Sequence, residues 1–100
     1  MSLDLTLYDK VFENSVRLQI MSILIANDSY DFNSLKELLE VTDGNLASNL
    51  KNLEKEGYIL VSKTFIDRKP NTSYSKTEKG VKAFENHLIA LENLIKQTYK

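Results

Sequence analysis

The feature that most constrains this chain is an apolar stripe close to its C-terminus. Val81, Phe84, Leu88, Leu91 and Ile95 follow one another at spacings of 3, 4, 3 and 4 residues. That is the seam of a helix that packs along its length against another helix. Ile89 and Leu94 widen the stripe, and Thr77 stands ahead of it as an N-cap. The pattern predicts a helix over 77–99, roughly 35 Å long at the rise of an α-helix. Two arrangements accommodate it: the stripe packs on its own domain, or it pairs with a second subunit. The chain has 100 residues, one domain's worth. A three-helix unit with a hairpin is too small to cover so long a stripe, which favours a homodimer. The expected interface residues are Leu5, Tyr8, Phe12, Val81, Phe84, Leu88, Leu91 and Ile95, with Leu3 and Leu7 alongside.

Upstream, residues 14–26 read as a helix capped by Asn14. It is apolar on more than one side through Val16, Leu18, Ile20, Met21, Ile23, Leu24 and Ile25. Residues 4–12 add a further turn or two. Tyr30-Asp31-Phe32 reads as a short strand. Asn33 then caps a second helix that turns Leu35, Leu38 and Leu39 inward. After a turn at Glu40-Val41, Thr42 caps a third helix running to about Glu56, with Leu46, Leu50 and Leu53 on one face. Gly57 suits the left-handed position just past a helix end. Residues 58–66 are rich in strand formers. Asp67-Arg68-Lys69-Pro70-Asn71 reads as a polar turn, and Thr72-Ser73-Tyr74-Ser75 as the return strand.

Two helices joined by about three residues, then a hairpin, form a helix-turn-helix with a wing. The expected fold class is therefore mainly α with α+β character. It is a single winged helix-turn-helix domain over 1–100, with a core at about 13–76 and a C-terminal dimerisation helix at 77–99. A third helix in this setting fits the major groove of double-stranded DNA. Opposite its leucines lie Gly44, Ser48, Lys51 and Lys55, flanked by Asn45 and Asn52, with Asn49 at the border of the core face. Asn pairs with adenine edges and Ser with several bases, while Lys suits phosphate or guanine. Thr42 and Gly44 stand at the helix N-terminus, which favours phosphate. In the wing, Arg68 would enter a minor groove or hold phosphate, and Lys63 and Lys69 would hold phosphate. The plain alternative is a solvated polar helix and a charged hairpin tip that keeps the protein soluble.

Charge decides little between these. The net charge is −1, and residues 41–76 carry six cations against four carboxylates. A protein-interaction module on the same fold therefore stays open as the second reading. Other classes find no support. There is no cysteine and one histidine, so disulfides, thiol switches and structural zinc are not expected, nor is any cofactor. That lone His87, off the seam, reads as a surface or interface residue. No nucleophile–base set or glycine-rich phosphate loop points to an enzyme. No signal peptide or membrane span is readable, and a cytoplasmic location is expected. A small apolar effector in a pocket of Tyr8, Phe12, Phe84 and Leu88 competes with the simpler reading of those residues as interface core.

The run from Thr42 to Tyr58, TDGNLASNLKNLEKEGY, closely resembles the recognition-helix signature of small winged-helix transcriptional regulators related to the MarR and ArsR groups. Val16-Arg17-Leu18-Gln19-Ile20, Asp31-Phe32-Asn33-Ser34-Leu35-Lys36, Arg68-Lys69-Pro70 and Thr77-Glu78-Lys79-Gly80 resemble its first-helix, second-helix, wing and final-helix motifs. The likeness covers roughly residues 11–95. It implies a dimeric DNA-binding regulator, usually a repressor, whose third helix reads bases. This chain departs from the pattern at several places. Asn14-Ser15 replace His-Pro, Ala47 and Asn49 replace a Ser and a His, Asn71 stands at a typical Arg position, and Lys76 replaces a core Leu.

Overall fold

A computed structural model describes residues 5–99. A short 3-10 helix, Lys10–Glu13, leads into α1, Ser15–Ala26. Then come β1, Tyr30–Asp31; α2, Phe32–Leu39; α3, Asp43–Lys55; β2, Ile59–Ile66; β3, Lys69–Lys76; and α4, Glu78–Thr98. The strands form one antiparallel sheet in the order β1-β3-β2. Helix and hairpin order match the winged helix-turn-helix expected from the sequence. The interface residue Leu3 lies outside the described residues, as does the start of the segment read as 4–12.

Local chemistry sets most helix ends. Asn14 Oδ1 accepts from the backbone N–H groups of Val16 and Arg17. Thr42 Oγ1 accepts from Asn45 N–H, and Thr77 Oγ1 from Gly80 N–H. Each supplies an acceptor to donors that a helix start leaves unpaired. The α2 cap differs from expectation: it is Asp31, not Asn33. Its carboxylate accepts from Ser34 N–H at 3.1 Å and from Ser34 Oγ at 2.6 Å. That side-chain bond holds the carboxyl below its ordinary range. A carboxylate outbids an amide at the positive end of a helix, so the strand passes into the helix without a linker.

The wing also differs. Its turn has two residues, Asp67 at φ 50° and Arg68 at φ 67°, rather than five. Positive φ at both centres matches the twist of the flanking strands, so β2 and β3 zip up to Ile66–Lys69. Pro70 fits because the pair after the closing pair makes no ladder bonds, which turns its nitrogen away from β2.

The core is formed by Ile20, Met21, Leu24, Leu35, Leu46, Leu50, Leu53 and Ile59, with Phe12, Tyr58 and Tyr74 around them. Two residues assigned to other places belong here. Phe12, expected at a subunit interface, is buried in the chain's own core, stacked on Tyr58 and edge-on to Phe84. His87, expected at the surface or an interface, is buried within the chain itself and only 2% exposed. Its Nδ1 accepts from Asp9 N–H at 3.0 Å, and its ring lies 4.7 Å from that of Tyr8. Asp9 in turn accepts from Val11 N–H and from the Tyr58 hydroxyl. Burial, then this bond to Asp9, pushes the Tyr58 phenol well above its usual range. The N-terminal segment is thus pinned to both α4 and the start of β2.

Lys76 supplies a cap to α1 from a distance. Its Nζ donates to the carbonyls of Leu24 at 3.1 Å and Asn27 at 3.0 Å. Helix α1 has no basic residue in its own last turn, so Lys76 provides the cation that its negative end favours. Lys76→Met, which keeps a long side chain but removes the ammonium, is expected to lower stability by about 1–2 kcal/mol. Chemical denaturation would read this as a lower midpoint at unchanged slope; a raised midpoint would show that the carbonyls do not need the ammonium.

Candidate nucleic-acid interface

Helix α3 buries Leu46, Leu50 and Leu53 and leaves its opposite side open. Gly44, Asn45, Ala47, Ser48, Lys51 and Lys55 are exposed, and Thr42 is exposed at the cap. Of the eight residues on α3 and its cap expected to contact DNA, six therefore share one solvent-facing surface. Two do not. Asn49 is only 6% exposed and is committed inside the protein. Its Nδ2 donates to Asn45 O at 3.0 Å and to Asn45 Oδ1 at 3.2 Å, and its Oδ1 accepts from Arg17 at 3.4 Å. It braces the helix from behind rather than standing on the exposed face, which corrects its expected place among the DNA-contact residues. Asn52 is half-buried, and its Oδ1 is buried with no hydrogen-bond partner.

Arg17 was passed over by sequence reasoning except as part of a motif. Its Nε donates to Val11 O at 2.8 Å while Nη1 reaches Asn49. One side chain thus ties the N-terminal segment to the back of α3. The available signal was its charge: Arg17 is the one ionisable residue in the otherwise uncharged helix SVRLQIMSILIA.

The N-terminus of α3 is held by an ion pair of Lys36 on α2 with Asp43, at 2.9 Å. Among the described residues, Lys51, Lys55, Lys63, Arg68 and Lys69 stand in no ion pair. They are free of close carboxylate partners although the chain as a whole is slightly acidic.

Between α3 and the wing lies a cleft of about 480 Å³. Its polar lining includes Asn33, Lys51, Lys63, Asn71, Thr72 and one carboxylate, Glu54, over apolar Ala47 and Leu50. The two lysines come from different elements and face one groove. Arg68 and Lys69 stand further out, at the wing tip and its closing pair, both exposed. Arg68 occupies a backbone position that glycine would adopt with less strain.

Helix α4 offers two adjacent sides. Gly80, His87 and Ala90 are buried, while Val81, Phe84 and Leu91 are half-buried. Leu88 and Ile95 are 43% and 59% exposed. Leu5 is exposed and Tyr8 half-buried, its hydroxyl donating to Glu13. Among the described residues no helix is long and apolar enough to cross a membrane, and no three of His, Asp and Glu gather as a metal site.

Among the described residues, four α-helices, a three-stranded sheet, and a hairpin beside a polar third helix define a winged helix-turn-helix. The chain belongs to the winged helix DNA-binding domain family, whose profile matches residues 16–95. It is 38% identical over 87 residues to an uncharacterized protein of Methanocaldococcus jannaschii, spanning 87% of this chain and 95% of that one. Among solved structures it is similar to a transcriptional regulator homologue from Pyrococcus horikoshii OT3. The identity is 31% and the TM-score 0.81, over 88% of this chain and 87% of the other. A PadR family transcriptional regulator from Eggerthella lenta shares the fold at 16% identity and a TM-score of 0.72, over 84% and 78% of the two chains.

Proposed function

We propose that this DNA-binding regulator acts as a sequence-specific homodimer and represses by occupying its operator. The 13–76 unit carries α3 into the major groove, where Asn45 and Ser48 read base edges. Lys51 and Lys63 line the groove through which a phosphate backbone runs, with Lys55, Lys69 and the N-terminus of α3 at Thr42 and Gly44 adding phosphate contacts. Arg68 meets the adjoining minor groove. The carrying observation is the exposed polar surface of α3, set beside a cleft in which two lysines without ion pairs outnumber the one carboxylate, Glu54. The 77–99 helix joins two copies through Leu88, Leu91 and Ile95. It would place two recognition helices about one turn of DNA apart. Double-stranded DNA and a second copy are then the partners; the reading involves no catalysis, metal or cofactor.

The test is selection of duplexes from a random pool, followed by salt titration of the best binder. Affinity is expected to fall steeply with salt, and Lys51→Ala to reduce the log–log slope by about one. Asn45→Ala is expected to cost about 1–3 kcal/mol and relax preference at one base pair. Absence of any retained duplex at low salt would falsify the reading. It would favour a protein-docking winged helix, for which the net charge of −1 is the supporting observation.

A further inference from the structure

The hairpin carries its most exposed large apolar side chain near the tip. Phe65 is 77% exposed, and its cross-strand partner Pro70 is exposed as well. Strand β2 is an edge of the sheet. A bare aromatic on a projecting edge invites self-association unless something covers it.

Alternation along the strands fixes which way this pair faces. Val61, Lys63 and Phe65 share one face of β2, opposite Tyr74, Thr72 and Pro70 of β3. The first two pairs line the cleft beside α3, and so does Pro70. Phe65 therefore extends the same surface outward. The strands are eight residues each, so the hairpin is about 26 Å long. That exceeds half of the roughly 34 Å helical turn of DNA that separates a major groove from the adjoining minor one.

Charge selects the occupant. Around Phe65 stand Lys63, Arg68 and Lys69 against the single carboxylate Asp67, and none of the three cations is in an ion pair among the described residues. A second wing tip would bring like charge against like. A DNA minor groove is the complementary shape: a slot about 6 Å wide, walled by C–H-rich sugars and rimmed by phosphates.

We propose that Phe65 and Pro70 form an apolar wedge that seats between the sugar walls of the minor groove, with Arg68 and Lys69 on its phosphate rims. The inference rests on the DNA-binding reading above and assigns it a non-ionic contact residue.

The probe is a fluorescein-labelled duplex recovered from a random pool by the unmodified protein. Phe65→Ala is expected to weaken binding about tenfold at every salt concentration. The log–log slope stays unchanged, because a phenyl ring releases no counterion, whereas Arg68→Ala lowers the slope by about one. The chain holds no tryptophan, so Phe65→Trp places a lone indole at the tip, whose emission the duplex should quench. Affinity of Phe65→Ala within about twofold of the parent, or indole emission unmoved by saturating duplex, overturns the wedge while leaving DNA binding intact. A loss of self-association in sedimentation with DNA affinity unchanged overturns it in favour of a protein contact. If the unmodified protein recovers no duplex, both readings fall together.

Discussion

Gly80→Ala is expected to lower the melting temperature by about 10 °C or more, although alanine is the better helix former. An ideal Cβ at Gly80 would lie 2.2 Å from Tyr58 O, 2.9 Å from Tyr58 C and 3.0 Å from Met21 Cε. Two of those atoms are backbone, and the backbone there is not free to give. Thr77 N–H donates to the same Tyr58 carbonyl at 3.1 Å, and Thr77 Oγ1 donates to Gly57 O at 2.7 Å. Gly57 is itself held at φ 79°. The helix start and the end of the α3–β2 corner are therefore locked together at their closest approach. Helix propensity gains about 1 kcal/mol from the substitution. Relieving the overlap costs about 3 kcal/mol or more, since either α4 must tilt or the corner must open. The net loss is a large part of the few kcal/mol that hold a chain of this size folded. Gly44→Ala provides the opposite control. Nothing lies within 4 Å of a Cβ built there, so it is expected to stabilise by several tenths of a kcal/mol. Thermal unfolding followed by circular dichroism reads both, and equal shifts for the two variants would remove the packing argument.

Joint replacement of Leu88 and Ile95 by glutamate is expected to leave the fold intact and abolish the proposed dimer. Both side chains are substantially exposed in the single chain, so charge there meets no core. In a dimer, four new carboxylates would instead be forced together along an apolar seam. Sedimentation should then report the mass of one chain, 11.5 kDa. Binding to a duplex with two half-sites should fall about 100-fold or more, because each half must now bind without the other's help. A variant that remains dimeric would place the subunit contact elsewhere. One that keeps full affinity as a monomer would show that a single copy suffices for DNA.

The helix starts show how far a sequence can be read. At Asn14, Thr42 and Thr77 the acceptor and its N–H partners lie within three residues of each other, so the pattern is visible in the string. The same holds for the α3 core face, since Leu46, Leu50 and Leu53 fall on one side by helix period alone. Asn49 escaped because it lies at the edge of that face, where spacing does not separate buried from exposed. Its fate depended on Arg17, 32 residues away. The wing turn was misjudged in length because Pro70 resembles a breaker; only the pairing shows that its missing N–H is not wanted.

The long apolar stripe on the last helix illustrates both limits. From the sequence alone it determined a helix of the right place and extent, and it marked a side with more apolar surface than one small domain can cover. Which side turns inward was settled by tertiary structure. Gly80 faces the core because two backbones meet there, and His87 does so because it accepts from Asp9, 78 residues earlier. The Lys76 cap on α1 was likewise invisible until the fold brought its partners, up to 52 residues distant, within reach. Periodicity and capping are written into neighbouring residues, and the chain states them directly. Burial of a polar group depends on a partner found only after folding, so for Asn49, Lys76 and His87 only the tertiary structure decided the role.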